Sequence, residues 1–275
     1  MENKTMLKTE MRNPNTMGID KMETADIIRT INEENRRVTE ALEAAVEDIA
    51  RATDAITHSI CNGGRVFYIG AGTSGRLGVC DAAECPPTFG VSPELFTGII
   101  AGGARCMFSA AEGEEDDPLQ SVKDLDAAGL KSGDVVVGIS ASGSAAYVVA
   151  ALQHAKEIGA VAVSIANNPN TPTAAAADIA ICADTGPEVI TGSTRMKAGT
   201  AQKIILNMLS TASMIKSGHV YENLMINLKP SNKKLRQRVI RIVTEILKCD
   251  ADTAVKLLEA NEWNIRRTVT AAKAE

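Results

Sequence analysis

Between Thr24 and about Cys61, apolar residues recur three, four and seven positions apart: Ile27, Ile28, Ile31, Val38, Leu42, Val46, Ile49 and Ile56. This is the spacing of one helix face, and it predicts a helical run closed by Asn62-Gly63-Gly64, since glycine accepts the left-handed turn that ends a helix. The pattern then changes. Short apolar runs at 66–69, 96–100, 135–139, 161–165 and 179–182 alternate with helical stretches, notably 145–158 with Gly159 as its stop. Strands apolar on both faces and separated by helices predict an α/β fold: a doubly wound five-stranded parallel sheet flanked by helices.

Beyond the strands, the pattern predicts a long helix from about Thr194 to Lys216, ended by Gly218. Its face of Ile204, Ile205, Met208, Leu209, Ala212 and Ile215 can serve either as core or as a surface for a second subunit. An amphipathic helix is expected over 232–248 and two short helices over 250–272, with Trp263 as an anchor. Residues 1–20 are polar and read as an extended arm. The expected division is an arm and helices (1–61), an α/β domain (62–230) and a small C-terminal helical segment (231–275).

Composition narrows the function classes. Of 275 residues, 45% are hydrophobic but only 3% aromatic, so aliphatic side chains and Ala must fill the core. Twenty-nine basic against thirty-four acidic residues leave a net charge of −5, which speaks against a nucleic-acid partner. No 18-residue apolar run and no apolar leader are present, so a soluble cytoplasmic protein away from membranes is expected. The six Cys form no CxxC pair, and the three His have no metal-ligand spacing. No metal site and no disulfide framework is expected, and the thiols read as reduced core-fillers.

Chemistry concentrates in three hydroxyl-rich loops. Gly70-Ala71-Gly72-Thr73-Ser74-Gly75 follows the first strand, Ser140-Ala141-Ser142-Gly143-Ser144 the third, and Thr191-Gly192-Ser193-Thr194 precedes the long helix. Hydroxyls and backbone N–H groups at helix starts suit a phosphate monoester. A Walker A loop would need Lys, which the first two loops lack. The first loop fits GxGxxG, yet Glu94 lies ahead of the second strand instead of at its end, where a ribose-binding acid belongs. A sugar phosphate is the better ligand.

These loops resemble those of the sugar isomerase (SIS) domain family, which binds phosphosugars through a Gly-Thr-Ser loop and a Ser-x-Ser-Gly loop. Residues 186–203, GPEVITGSTRMKAGTAQK, are similar to a signature shared by the N-acetylmuramic acid 6-phosphate etherases and the glucokinase regulatory protein. Residues 81–88, DAAECPPT, and 112–116, EGEED, are similar to the etherases alone. Relatives commonly carry Thr or Ser where Ala145 stands.

The resemblance implies an SIS-type domain, a homodimer, and cleavage of the C3 ether between D-lactate and the amino sugar by elimination and then water addition, in cell-wall amino-sugar recycling. It implies no cofactor and two catalytic carboxylates: Glu84 as the acid that protonates lactate, Glu115 as the base at C2. Such chemistry needs one carboxyl held protonated and one ionised. Pro86 disfavours helix at Cys85, so Glu84 is expected at a helix end, where the macrodipole favours a protonated acid. The acidic run around Glu115 cannot by itself distinguish it from Glu114. Expected substrate-binding residues are Gly72, Thr73, Ser74, Ser140, Ser142, Gly143, Ser144, Ser193 and Thr194, with Arg195 and Lys197 as anion partners and Glu188 as a ring-opening group. A non-catalytic phosphosugar sensor and an aldose–ketose phosphosugar isomerase are the alternatives; lactate release separates them from the etherase.

Overall fold

The computed structural model describes residues 6–228, 230 and 232–274; the first five residues of the expected arm lie outside that description. The arm runs through three short 3-10 turns, Lys8–Glu10, Pro14–Thr16 and Ile19–Lys21. Three helices follow where the periodicity predicts one run: α1 (Thr24–Glu34), α2 (Arg36–Ala44) and α3 (Val46–Cys61). The hydrophobic stripe is continuous, but the backbone turns at Asn35 and Ala45. At the second break Ala45 N bonds Leu42 O, a tighter contact than the helix ladder.

The α/β core then alternates as expected: β1 (Val66–Gly70), α4 (Gly72–Phe89), β2 (Phe96–Ile100), α5 (Pro118–Ala127), β3 (Val135–Ser140), α6 (Ala146–Ile158), β4 (Val161–Ala166), α7 (Pro172–Ala176), β5 (Ile179–Cys182) and α8 (Lys197–Lys216). The five strands are parallel in the order β2-β1-β3-β4-β5. Alternate residues feed two cores. Val66, Tyr68, Val135, Val137 and Ile165 pack with α2, α3, α4 and α8, whereas Phe67, Ile69, Val136 and Ala162 pack with α5 and α6. Burial on both faces explains why the strands read as unbroken apolar runs.

Helix α4 departs from expectation. It continues through Pro86 and Pro87 to Phe89 and closes at Gly90, whose φ is +67° and whose N–H bonds Pro86 O. Glu84 therefore sits inside the helix, exposed, and not at its end. Proline in a helix interior costs about 3 kcal/mol. Burial of Ala82, Cys85 and Phe89 in the core offsets much of that cost, with about 1.5–3 kcal/mol from Phe89 alone.

After α8 comes a hairpin absent from the sequence reading, β6 (Val220–Tyr221) and β7 (Leu224–Met225). Helices α9 (Lys233–Leu247), α10 (Ala251–Ala260) and α11 (Ile265–Ala274) then enclose their own apolar cluster around Val239, Val243 and Leu258. Trp263 packs against this cluster half-buried, under the Arg236 guanidinium. Of the six thiols, Cys85 and Cys106 are buried core-fillers, whereas Cys61 and Cys80 are exposed. Among the described residues, no helix is long and apolar enough to cross a membrane.

Candidate active site

Strands β1 and β3 are neighbours, yet the helices that follow them pack on opposite faces of the sheet. Their loops diverge beyond the carboxyl ends of the strands and leave a crevice, the usual ligand position in such sheets. A cavity of about 280 Å³ occupies it. Gly72, Thr73 and Ser74 line it from the first loop, Ser140 and Ser142 from the second, Gly192 and Thr194 from the third. Glu115 and Glu10 complete the wall, and no Lys or Arg is among the lining residues. Helices α4 and α6 begin at these loops, so backbone N–H groups and helix dipoles supply the positive field an anion needs.

Close backbone approach explains the glycines of the first loop. A Cβ on Gly75 would lie 2.5 Å from Gly70 O, and one on Gly70 would lie 2.9 Å from Ile139 O. Ser74 turns inward, its hydroxyl donating to Gln202 Oε1 at 2.8 Å on α8, and Gln202 in turn donates to Asn167. In the second loop, Ser140 Oγ accepts from Gly143 N and Ser142 Oγ accepts from Ser144 N and Ser144 Oγ. The loop is thus shaped by its own hydroxyls before any ligand arrives. Gly143 has φ +71°, and a Cβ there would meet the Thr171 side chain at 2.4 Å. Ala145, buried at the start of α6, lines the cavity with a methyl group.

Glu115 lies in a 3-10 turn, Glu114–Asp116. Its neighbour Glu114 pairs with Arg105. Glu115 has no side-chain partner among the described residues and lines both this crevice and an adjoining cavity, also about 280 Å³. Arg76 ties this region to α4, donating from Nε to Met107 O and from Nη2 to Ser109 O. The choice between two adjacent glutamates, open in the sequence, has a physical basis here: one is engaged, the other faces the crevice.

Several expected residues lie elsewhere. Gly143, Ser144 and Ser193, within the loops, and Arg195 just beyond them do not line the cavity, and Arg195 is exposed. Glu188 is fully buried and accepts the N–H groups of Lys197 and Ala198 at 3.1 and 2.9 Å, closing the start of α8. Burial pushes its carboxyl above the usual range, against the pull of those two bonds. Lys197 is buried too, with Nζ 2.5 Å from Glu34 Oε2. Glu34 also accepts from Asn13 and Asn15 of the arm. Burial would raise the Glu34 carboxyl, but these three bonds prevail and hold it below its ordinary value. Glu188 and Lys197 therefore build the start of α8 and do not face the crevice, and the ring-opening part expected of Glu188 has no geometric support.

Glu84 is also remote. It lies twelve residues beyond Gly72 on one helix, about 18 Å along the axis at the helical rise per residue. A hexose phosphate held at Gly72–Ser74 is shorter than that. Glu10, by contrast, was missed by sequence reasoning. It sits in the polar arm, far in sequence from every loop, and no periodic or motif signal singles it out.

A parallel sheet of this order, with hydroxyl loops gathered at its switch point, is in keeping with a domain of SIS type, and the family models assign it there. The model of the SIS domain matches residues 119–212, and that of the glucokinase regulatory protein N-terminal SIS domain matches residues 48–156. Solved structures similar in fold include a phosphoheptose isomerase from Francisella tularensis, 18% identical with a TM-score of 0.52, covering 70% of this chain and 98% of that one. Another is a protein of Escherichia coli CFT073, 19% identical with the same TM-score of 0.52, covering 70% and 93%. Sequence relatives are much nearer. The N-acetylmuramic acid 6-phosphate etherase of Actinobacillus pleuropneumoniae is 50% identical over 261 residues, covering 95% of this chain and 86% of its own. That of Symbiobacterium thermophilum is 49% identical over 268 residues, covering 98% and 89%. The chain belongs to the N-acetylmuramic acid 6-phosphate etherase family.

Proposed function

We propose that this chain cleaves the C3 D-lactyl ether of N-acetylmuramic acid 6-phosphate, giving N-acetylglucosamine 6-phosphate and D-lactate, as a carbon–oxygen lyase of cell-wall amino-sugar recycling. About half identity over nearly the whole chain with etherases carries this reading. The crevice is in keeping with it: N–H groups and hydroxyls for a phosphate, and beside them carboxylates without a partner among the described residues.

In the proposed mechanism the 6-phosphate rests on Gly72–Ser74 and Ser140–Ser142, and the sugar opens to its aldehyde. The C2 proton, now α to a carbonyl, passes to Glu115. The C2=C3 bond forms as C3–O breaks, and Glu84 donates a proton to the departing lactate oxygen. Water then adds at C3 and a proton returns to C2. Each carboxyl finishes the cycle as it began.

From its own chain Glu84 would have to reach across about 18 Å of helix. We therefore assign it to the site of a second copy, in a homodimer whose two α4 helices run antiparallel across a two-fold axis, so that each Glu84 reaches the partner's loop 70–75. Exposed apolar side chains support such pairing: Met208 (39% exposed) and Ile215 (49%) on α8, which packs against α4. The arm and helices 1–61, the SIS domain 62–230 and the helical segment 231–275 are proposed as its parts, and the cytoplasm as its place.

The direct test is incubation with the substrate in heavy water. Wild type releases D-lactate and takes deuterium at C2, Glu84→Ala exchanges C2 without releasing lactate, and Glu115→Ala does neither. Binding without lactate release by wild type would sink the assignment and leave a phosphosugar sensor.

A further inference from the structure

We propose that Glu10 is a third working carboxylate of this site, touching the hemiacetal end of the sugar and moving the proton that opens its ring. This rests on the etherase reading, because elimination requires an acidic C2 proton and only the open-chain aldehyde provides one. The structure assigns no ring-opening group elsewhere in the crevice, since Glu188 is committed to the start of α8.

Three observations carry the inference. Glu10 lines the same cavity as the hydroxyl loops and Glu115, and its Oε2 lies against Gly192, 3.3 Å from where a Cβ would be. Its carboxylate has no hydrogen-bond or ion-pair partner among the described residues, although the two residues before it are fixed. Thr9 is fully buried, its N–H donating to Asn168 Oδ1 and its hydroxyl accepting from Asn168 Nδ2, which also donates to Ala141 O of the second loop. Lys8 pairs with Asp184 at 2.5 Å. The arm thus holds the Glu10 carboxylate against the crevice.

Charge decides which part of the ligand it meets. A carboxylate beside a phosphate, with no Lys or Arg in the wall, is repelled by it and lowers affinity unless a hydroxyl donates to it. Phosphate occupies the C6 end, and Glu115 as base marks the C1–C2 end. The hydroxyl there is O1–H, the most acidic of the sugar because it stands on the hemiacetal carbon. Glu10 takes the O1 proton as C1=O1 forms and C1–O5 breaks, and the proton is returned to O5. Nothing is consumed and the carboxylate is regenerated.

The test compares two substrates: the natural phosphosugar ether and its 4,5-dideoxy analogue, which lacks both hydroxyls that can close a ring and stays an open-chain aldehyde. Glu10→Gln should slow lactate release from the natural substrate about 100-fold or more, and act on the analogue within about threefold of wild type. An unchanged urea midpoint establishes that the variant is folded. Equal loss on both substrates makes Glu10 a positioning residue and overturns the proposal, as does no loss on either. Absence of lactate release by wild type from the natural substrate would refute the etherase reading instead, a separate result.

Discussion

Mixing two inactive variants tests where Glu84 acts. In a two-fold dimer with Glu84 supplied by the partner, a chain carrying Glu84→Ala keeps an intact Glu115, and a chain carrying Glu115→Ala keeps an intact Glu84. Paired together they make one site with both carboxyls and one site with neither. Random pairing of equal amounts makes half of the dimers mixed, each with one working site of two, so the mixture should recover about a quarter of wild-type activity. The geometric basis is the unbroken α4 helix, which carries Glu84 about 18 Å from the phosphate loop of its own chain. Co-expression with two affinity tags isolates the mixed dimer, which should show about half of wild-type lactate release per site. Neither variant alone should exceed background. If the purified mixed dimer is as inactive as its parents, Glu84 works in its own chain, the helix must bend to bring it there, and the proposed antiparallel pairing is wrong.

Two further predictions concern buried charges. Lys197→Met leaves Glu34 buried without its cation and should cost about 3–5 kcal/mol in urea unfolding, whereas adding Glu34→Gln to it should recover most of that loss. Because the Glu34 carboxyl is held below its ordinary value, the pair stabilises wild type above the unfolded carboxylate range, and that contribution fades as pH falls through the lowered folded value; the double variant should lack this acid limb. Asp81 is opposite in sign. Burial raises its carboxyl, against the bonds from Asn207 and Ser210, so its charge costs nothing below the unfolded range and destabilises increasingly as pH rises through it. Its Oδ2 and the Tyr68 hydroxyl are both buried without a hydrogen-bond partner among the described residues. Asp81→Asn keeps the acceptor for Asn207 and should raise stability at neutral pH by about 1 kcal/mol, with the gain vanishing in acid; a constant gain at all pH would refute the account.

Much of the fold was legible because its signals are local. Gly159 stops α6 with φ +83° and Gly63 follows α3 with φ +80°, both as the sequence predicts. The five strands appear within a residue of their expected bounds, because strands covered by helices on both faces leave near-continuous apolar runs in the sequence. The breaks at Asn35 and Ala45 were not legible, since a hydrophobic stripe records which face is buried and not whether the axis stays straight. The proline pair after Glu84 was misleading for a related reason. Local sterics favour a helix end there, and burial of Phe89 and Cys85 overrides them.

Sequence alone determined the chain's family, its parallel sheet and its three hydroxyl loops, because motif and periodicity need only neighbours in the chain. Tertiary structure decided how the polar and charged side chains are used. Lys197 and Glu188, within the signature and read as ligand contacts, are drawn inward because a buried helix start needs its N–H groups and charges satisfied. Glu114 is engaged by Arg105 while Glu115 is left facing the crevice. Glu10 comes to the wall from an arm with no pattern of its own, carried there by Thr9 and Asn168. A side chain's chemistry is written in its residue type, but whether that chemistry is spent on the fold or left for a ligand depends on which distant groups fold against it.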